Sequence, residues 1–370
     1  MKIIVAPDKF KGSLTSFEVC KAISSGIKKA NDKVDVLTFP MADGGDGFAA
    51  VMKYYLQTET IYCDTVDPLG RKISASYEWN AESKTAIIEM ALASGLVLLN
   101  EEERNPLLTS AFGTGLLIKH AIDKGAVKII LGLGGSATND AGTGILSALG
   151  FLFLDKDGLA LNANGADLIL IKKIIAPSSI NDIKFQIASD VQNLLYGPKG
   201  AAYIYAPQKG ADKEQVKLLD EGLKNFAAVI KDQRGKDVAI IPGSGAAGGI
   251  AAGLMVFYDT EIKKGIDMVI EAAKIDNELT GADLIITGEG KIDEQSNLGK
   301  VTGSISALAK KYSIPCIAVC GITDLDEKET TAMGFKKVIA LKDQSISKEE
   351  AMKNAFYLLE EKATGILSLF

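Results

Sequence analysis

Short runs of consecutive apolar residues alternate with helical stripes at both ends of the chain. Lys2–Ala6 predicts a strand, and a helix is predicted over Ser16–Ala30. There Phe17, Cys20, Ala22, Ile23 and Ile27 form one apolar face and Ser16 is placed to cap. A second strand, Val34–Phe39, runs into Pro40–Gly47, and a helix carrying Phe48, Val51, Met52 and Tyr55 follows. This βαβα order opens a parallel, doubly wound sheet. Beyond residue 58 the pattern changes to alternation: Thr60–Asp64, Lys72–Trp79 and Lys84–Glu89, with a turn at Asp67–Gly70, read as an antiparallel meander. More α/β pattern follows, including the strand Val127–Leu133. Near residue 280 the βα rhythm returns with the apolar runs Ala282–Ile286, Pro315–Val319 and Lys337–Leu341. Two strands from the start and three from the end make one five-stranded parallel sheet of flavodoxin type. The expected organisation is that domain from residues 1–58 and 281–370, with a second α/β domain, 59–280, inserted into it; two consecutive domains are the alternative. A cleft between two such domains is the usual place for a site.

Composition narrows the class. Of 370 residues, 47% are hydrophobic and 24% charged, as in ordinary globular proteins. The net charge of −6 argues against a nucleic-acid or anionic-membrane surface. No apolar run reaches the ~18 residues that span a membrane, and the N-terminal run is too short for a signal peptide. Cys20, Cys63, Cys316 and Cys320 lack CxxC or zinc spacing and read as reduced core thiols, which points to the cytoplasm. His120 is the only histidine, so acid–base chemistry falls to Asp, Glu or Lys.

Glycine makes up 37 of the 370 residues and clusters in turns. Gly134-Gly-Ser-Ala-Thr-Asn-Asp140 follows the strand Val127–Leu133 and precedes a helical stretch at Ile145. Backbone N–H groups and small hydroxyls at a helix start suit an anion such as phosphate, although such a turn also serves as a plain strand-to-helix connection. Asp8-Lys9-Phe-Lys11-Gly-Ser13 follows the first strand, and Asp43-Gly44-Gly45-Asp46-Gly47 follows the second. The third is followed by Thr287-Gly288-Glu289-Gly290-Lys291-Ile-Asp293-Glu-Gln-Ser296. Ligands of open α/β sheets bind at these carboxyl ends of strands. Asp190 sits at another strand end, Pro207-Gln-Lys209-Gly210 offers a further lysine, and Gly243–Gly249 is a second small-residue turn entering a helix. A Walker A motif is absent. Gly132–Ala137, with Asp155 downstream, meets a loose dinucleotide fingerprint. Glycine turns, lysines and carboxylates together are what phosphoryl transfer to a small molecule asks for.

Taken together, the segments at 6–14, 40–47, 134–140, 190–193, 207–210, 242–249 and 286–296 resemble the bacterial type I glycerate kinase family, in the family's order. Two departures are visible: Asp46 stands where the family has Glu, and Asn193-Leu-Leu195 where Asn-Pro-Leu is common. The resemblance implies ATP- and Mg²⁺-dependent phosphorylation of D-glycerate, usually to 2-phosphoglycerate, with 3-phosphoglycerate as the other product. It also implies a flavodoxin-like domain holding an inserted domain of restriction-endonuclease-like fold. A non-catalytic sensor for glycerate or a phosphorylated metabolite is the alternative, and a nicotinamide dehydrogenase rests only on the loose fingerprint. On the kinase reading, Lys9, Lys11, Ser13, Asp43, Gly44 and Gly45 bind substrate. Gly134, Gly135, Ser136, Thr138, Asn139 and Asp140, with Gly288, Glu289 and Gly290, contact the nucleotide or its phosphates. Asp190 is the first candidate for the base and Asp293 the second, Lys291 neutralises charge on the phosphoryl group, and Asp43 and Asp190 are the candidate Mg²⁺ ligands.

Overall fold

The computed structural model describes residues 1–293, 300–342 and 346–369. Along the chain the strands are β1 (Lys2–Val5), β2 (Asp35–Thr38), β3 (Glu59–Val66), β4 (Lys72–Asn80), β5 (Thr85–Glu89) and β6 (Lys128–Gly132). They continue with β7 (Leu152–Leu154), β8 (Lys173–Ile175), β9 (Lys184–Ala188), β10 (Asp259–Lys263), β11 (Leu284–Ile292), β12 (Cys316–Thr323) and β13 (Lys337–Ala340). The fold is mixed α/β with parallel sheets. It divides into two compact units, residues 1–43 with 266–370, and residues 44–265.

The first unit is built on a five-stranded sheet in the order β13-β12-β11-β1-β2, every pairing parallel. Ile3, Val5, Leu284, Ile286, Ile317 and Val319 pack into one core with the helix Ser16–Ala30. That helix has the predicted bounds, but its cap lies one residue earlier. Thr15, not Ser16, is the N-cap, and with Glu18 it closes a capping box, while Ser16 is buried. Gly26 lets the helix lie against the helix Ala355–Thr364, because a Cβ there would stand 2.2 Å from the Glu360 carbonyl.

One strand boundary differs in a way that matters for the site. The apolar run ends at Ile286, yet β11 continues through Gly288, Glu289, Gly290 and Lys291 to Ile292. These residues are therefore strand, not a turn following one. Pairing with β12 out to Ile292–Thr323 holds them extended despite poor local propensity. The glycines permit the close approach: a Cβ on Gly288 would lie 2.4 Å from the Val319 carbonyl. Glu294–Ser296, the end of that motif, lie outside the described residues.

The second unit carries a six-stranded sheet, β10-β9-β6-β5-β4-β3. β3, β4 and β5 form the expected antiparallel meander, whereas β5, β6, β9 and β10 run parallel. The four parallel strands thus bring their carboxyl ends to one edge. Ile88, Ile129, Leu131, Phe185 and Ile187 join the core beneath that edge. Among the described residues no helix is long and apolar enough to cross a membrane.

Candidate active site

In the first unit, the segment leaving β1 stays beside β11: Ala6 N–H donates to the Ile286 carbonyl (2.7 Å) and Asp8 N–H to the Gly288 carbonyl (2.8 Å). Further on, Gly290 gives room for the backbone of Phe10 and Lys11, since a Cβ there would stand 3.1 Å from Lys11 N. The sequence-predicted Lys9, Glu289, Gly288 and Gly290 are thereby gathered at one sheet edge. Lys9 is half-buried and Lys11 exposed. Glu289 is buried and accepts from Thr302 Oγ1 (2.5 Å), with Lys300 Nζ at 3.6 Å. Lys300 also lies 3.8 Å from Asp293, and Lys291 lies 3.1 Å from Asp324 and 3.9 Å from Asp293. Ser13 turns elsewhere: its hydroxyl donates to the Met352 carbonyl at 2.6 Å.

Asp8 was part of a motif but given no role from the sequence. It is 8% exposed, and burial pushes its carboxyl up to about 7, with Asp43 and Glu289 adding repulsion while Lys9 opposes. Between pH ~4 and ~7 the folded protein therefore holds a proton that an unfolded carboxyl has lost, and stability falls as pH rises through that window. Asp8→Asn is expected to flatten this fall, gaining a few kcal/mol at pH 8 and little at pH 4. Thermal unfolding of both proteins across the range checks it; parallel curves would refute it.

In the second unit, Gly132 and Ala188 are paired in neighbouring strands, so the Gly134–Asp140 turn and Asp190 leave the same sheet edge side by side. Gly44 and Gly45 are seated on this edge. A Cβ on Gly134 would stand 2.5 Å from Gly45 Cα, and one on Gly44 3.1 Å from Ala188 Cβ. Three sequence-predicted groups (Gly44–Gly45, the 134–140 turn and Asp190) are thus brought together. Asp190 is half-buried. Glu89, which sequence reasoning passed over, ends β5 on the same edge, is 9% exposed and accepts the Ala49 N–H at 2.6 Å. Its signal was available: a carboxylate closing the apolar strand Thr85–Ile88 at its carboxyl end.

The turn itself is held from both sides. Gly135, exposed at φ 73°, is in the left-handed region that favours glycine. Asp140 is fully buried and its carboxylate accepts the N–H groups of Ala111 (2.7 Å), Gly142 (3.0 Å) and Gly144 (3.3 Å). Lys209 Nζ donates to Ser136 Oγ (2.7 Å) and the Thr138 carbonyl (2.6 Å). Burial pushes the Lys209 ammonium down to about 7 and the Asp140 carboxyl up, each opposed by attraction to the other and, for Asp140, by its three N–H donors. Asn139 is wholly buried, and neither polar atom of its amide has a hydrogen-bond partner among the described residues. The second glycine turn closes over this one. Gly248, at φ 72°, accepts the Ala141 N–H, and a Cβ on it would lie 2.3 Å from the Thr138 carbonyl.

The dinucleotide fingerprint lacks its context. The strand after Gly132–Ala137 is β7, which pairs antiparallel with β8, and Asp155 spends its carboxylate on the N–H groups of Asp157 and Leu159. His120 pairs with the Tyr77 hydroxyl at 3.0 Å. Among the described residues no group of three or more His, Cys, Asp or Glu side chains is arranged to hold a metal.

Parallel strands whose carboxyl ends carry glycine turns, lysines and carboxylates are the equipment of a small-molecule kinase. The glycerate kinase family model matches residues 3–370. The glycerate kinase of Halalkalibacterium halodurans is 40% identical, covering 98% of this chain and 97% of its own. The glycerate 2-kinase of Escherichia coli K12 is 39% identical over 96% of this chain and 94% of its own. A crystal structure from Salmonella typhimurium LT2 superposes with a TM-score of 0.86 at 36% identity, over 100% of this chain and 97% of that one. The chain belongs to the glycerate kinase family, and it is a kinase.

Proposed function

We propose that the protein transfers the γ-phosphoryl group of ATP to D-glycerate, giving 2-phosphoglycerate. The observation that carries this is the gathering of Gly44–Gly45, the 134–140 turn and Asp190 on one strand edge of a chain that matches the family along its whole length. In the reaction a glycerate hydroxyl oxygen bonds to the γ-phosphorus, the bond from that phosphorus to the β,γ-bridging oxygen breaks, and ADP leaves. The hydroxyl proton passes to Asp190, with Asp293 as the second candidate base. Lys9 and Lys11, with Asp43, Gly44 and Gly45, take the substrate, and Ser13, whose hydroxyl donates to the Met352 carbonyl, could join them only by accepting or by giving up that bond. The nucleotide phosphates fall to the 134–140 turn and to Gly288–Gly290, and Lys291 balances charge on the transferred group. Carboxylates suit Mg²⁺, which is held in kinases by one or two of them together with phosphate oxygens. Asp43 and Asp190 are the side chains we assign to it, and the ion would neutralise phosphate charge.

The strand order of the first sheet, counted within its unit as 2-1-3-4-5, supports a flavodoxin-like assignment. The restriction-endonuclease-like assignment of the second unit rests on the family resemblance, and the division at residues 58 and 281 on the changes of sequence pattern there. Four free cysteines support a cytoplasmic setting. The Escherichia coli relative, a glycerate 2-kinase, favours the 2-hydroxyl. A coupled ADP-release assay with D-glycerate, ATP and Mg²⁺ tests the activity, and ³¹P NMR of the product tests its position. Glycerate binding without turnover would establish the sensor instead, and a 3-phosphate would overturn the regiochemistry.

A further inference from the structure

Lys209 has no place in the mechanism above, yet it is 2% exposed and reaches into the 134–140 turn, one of the two segments on which nucleotide binding has been placed. Its two acceptors, Ser136 Oγ and the Thr138 carbonyl, flank the middle of that turn from a segment more than 70 residues away. Desolvating an ammonium is costly, and an apolar residue of the same length would pack at lower cost. What the charge provides is restraint. The turn is tied to its surroundings through Gly135 and Ala137, whose backbone bonds to Leu96, Ser94 and Thr109, but the Thr138 hydroxyl and both polar atoms of the Asn139 amide are buried without partners among the described residues. Such groups favour rearrangement toward any shape that satisfies them. Asp140 fixes the far end through its three N–H donors and lies within electrostatic reach of the ammonium.

We propose that Lys209 is a positioning residue whose buried ammonium locks the Ser136–Thr138 segment, so that the turn is already shaped for the phosphates of ATP before ATP arrives. The inference rests on the nucleotide-binding reading of the 134–140 turn. Lys209 acts through the turn and not on the ligand, because its head is enclosed. Preorganisation of this kind removes an ordering cost from binding, and its loss is read in the affinity for the one ligand the turn holds.

The test compares two variants in the full-length enzyme. Lys209→Met keeps the length and the apolar stem and deletes the donors; Gly135→Ala disturbs the turn from within. Lys209→Met is expected to raise the KM for ATP about tenfold or more while the KM for glycerate changes less than about threefold, with faster hydrogen exchange over residues 134–141. Gly135→Ala is expected to raise the ATP KM as well. An effect of Gly135→Ala without one of Lys209→Met overturns the positioning role and leaves the nucleotide reading standing. No effect of either overturns that reading and the proposal with it. If the Met variant does not purify folded, Lys209→Arg is measured instead, because it keeps a cation but changes the donor geometry. A raised ATP KM then supports the role, and an unchanged one overturns it.

Discussion

Asp190→Asn is expected to lower kcat by about two orders of magnitude or more while ATP binding stays near normal, the usual scale for removing a general base. The substitution preserves size and removes the negative charge, and with it the ability to take a proton and one of the two carboxylates assigned to Mg²⁺. The position supports the role. Asp190 stands two residues beyond Ala188, the last residue of β9, beside the turn that leaves β6 two residues beyond Gly132, so Asp190 and the 134–140 turn share an edge set by one strand pairing. A KM for ATP within about threefold of the parent would separate loss of chemistry from loss of binding. An unimpaired kcat would remove Asp190 from the role and pass it to Asp293, whose own Asn variant would then show the loss. Lys291 and Lys300 lie 3.9 and 3.8 Å from Asp293, so that variant would also disturb two ion pairs.

Much of the fold could be read from the chain because its strands are short runs of Ile, Leu, Val and Ala bounded by Gly, Pro or charge. β1, β12 and β13 lie where such runs predict them, and the parallel first sheet follows from counting them. Tertiary pairing explains the failures. Gly288–Lys291 has the composition of a turn, and only the neighbouring β12 makes it strand. The site was legible as segments but not as partners. The motifs named the turns, yet nothing along the chain told that Ser13 would spend its hydroxyl on the Met352 carbonyl or that Asp140 would face three backbone N–H groups. Lys209 was less accessible still. A lysine in Pro-Gln-Lys-Gly reads as a solvated charge, and its burial depends on segments far apart in sequence folding around it. Glu89 was legible and overlooked, since a carboxylate ending an apolar strand is what a sheet-edge site requires.

Asp140→Asn is expected to cost about 3–5 kcal/mol, because it disrupts the acceptor of three backbone N–H groups in the interior and removes the charge that offsets the burial of Lys209. The loss has two parts. The amide cannot reproduce a carboxylate that accepts from Ala111, Gly142 and Gly144, and wherever its NH₂ faces one of those donors two N–H groups oppose each other. Lys209 meanwhile loses the opposing charge that offsets its burial. For a unit of this size the change corresponds to a fall in Tm of roughly 10 °C, measurable by thermal unfolding. The double variant Asp140→Asn, Lys209→Met discriminates between the two parts. If the uncompensated ammonium dominates, the double variant is less destabilised than the sum of the singles by about 1 kcal/mol or more. Strict additivity would locate the whole cost in the backbone donors and show that Lys209 and Asp140 hold the turn independently. A Tm for Asp140→Asn within about 2 °C of the parent would refute the Asp140 carboxylate as a structural element, and would make Asp140 a residue kept for its ligand alone.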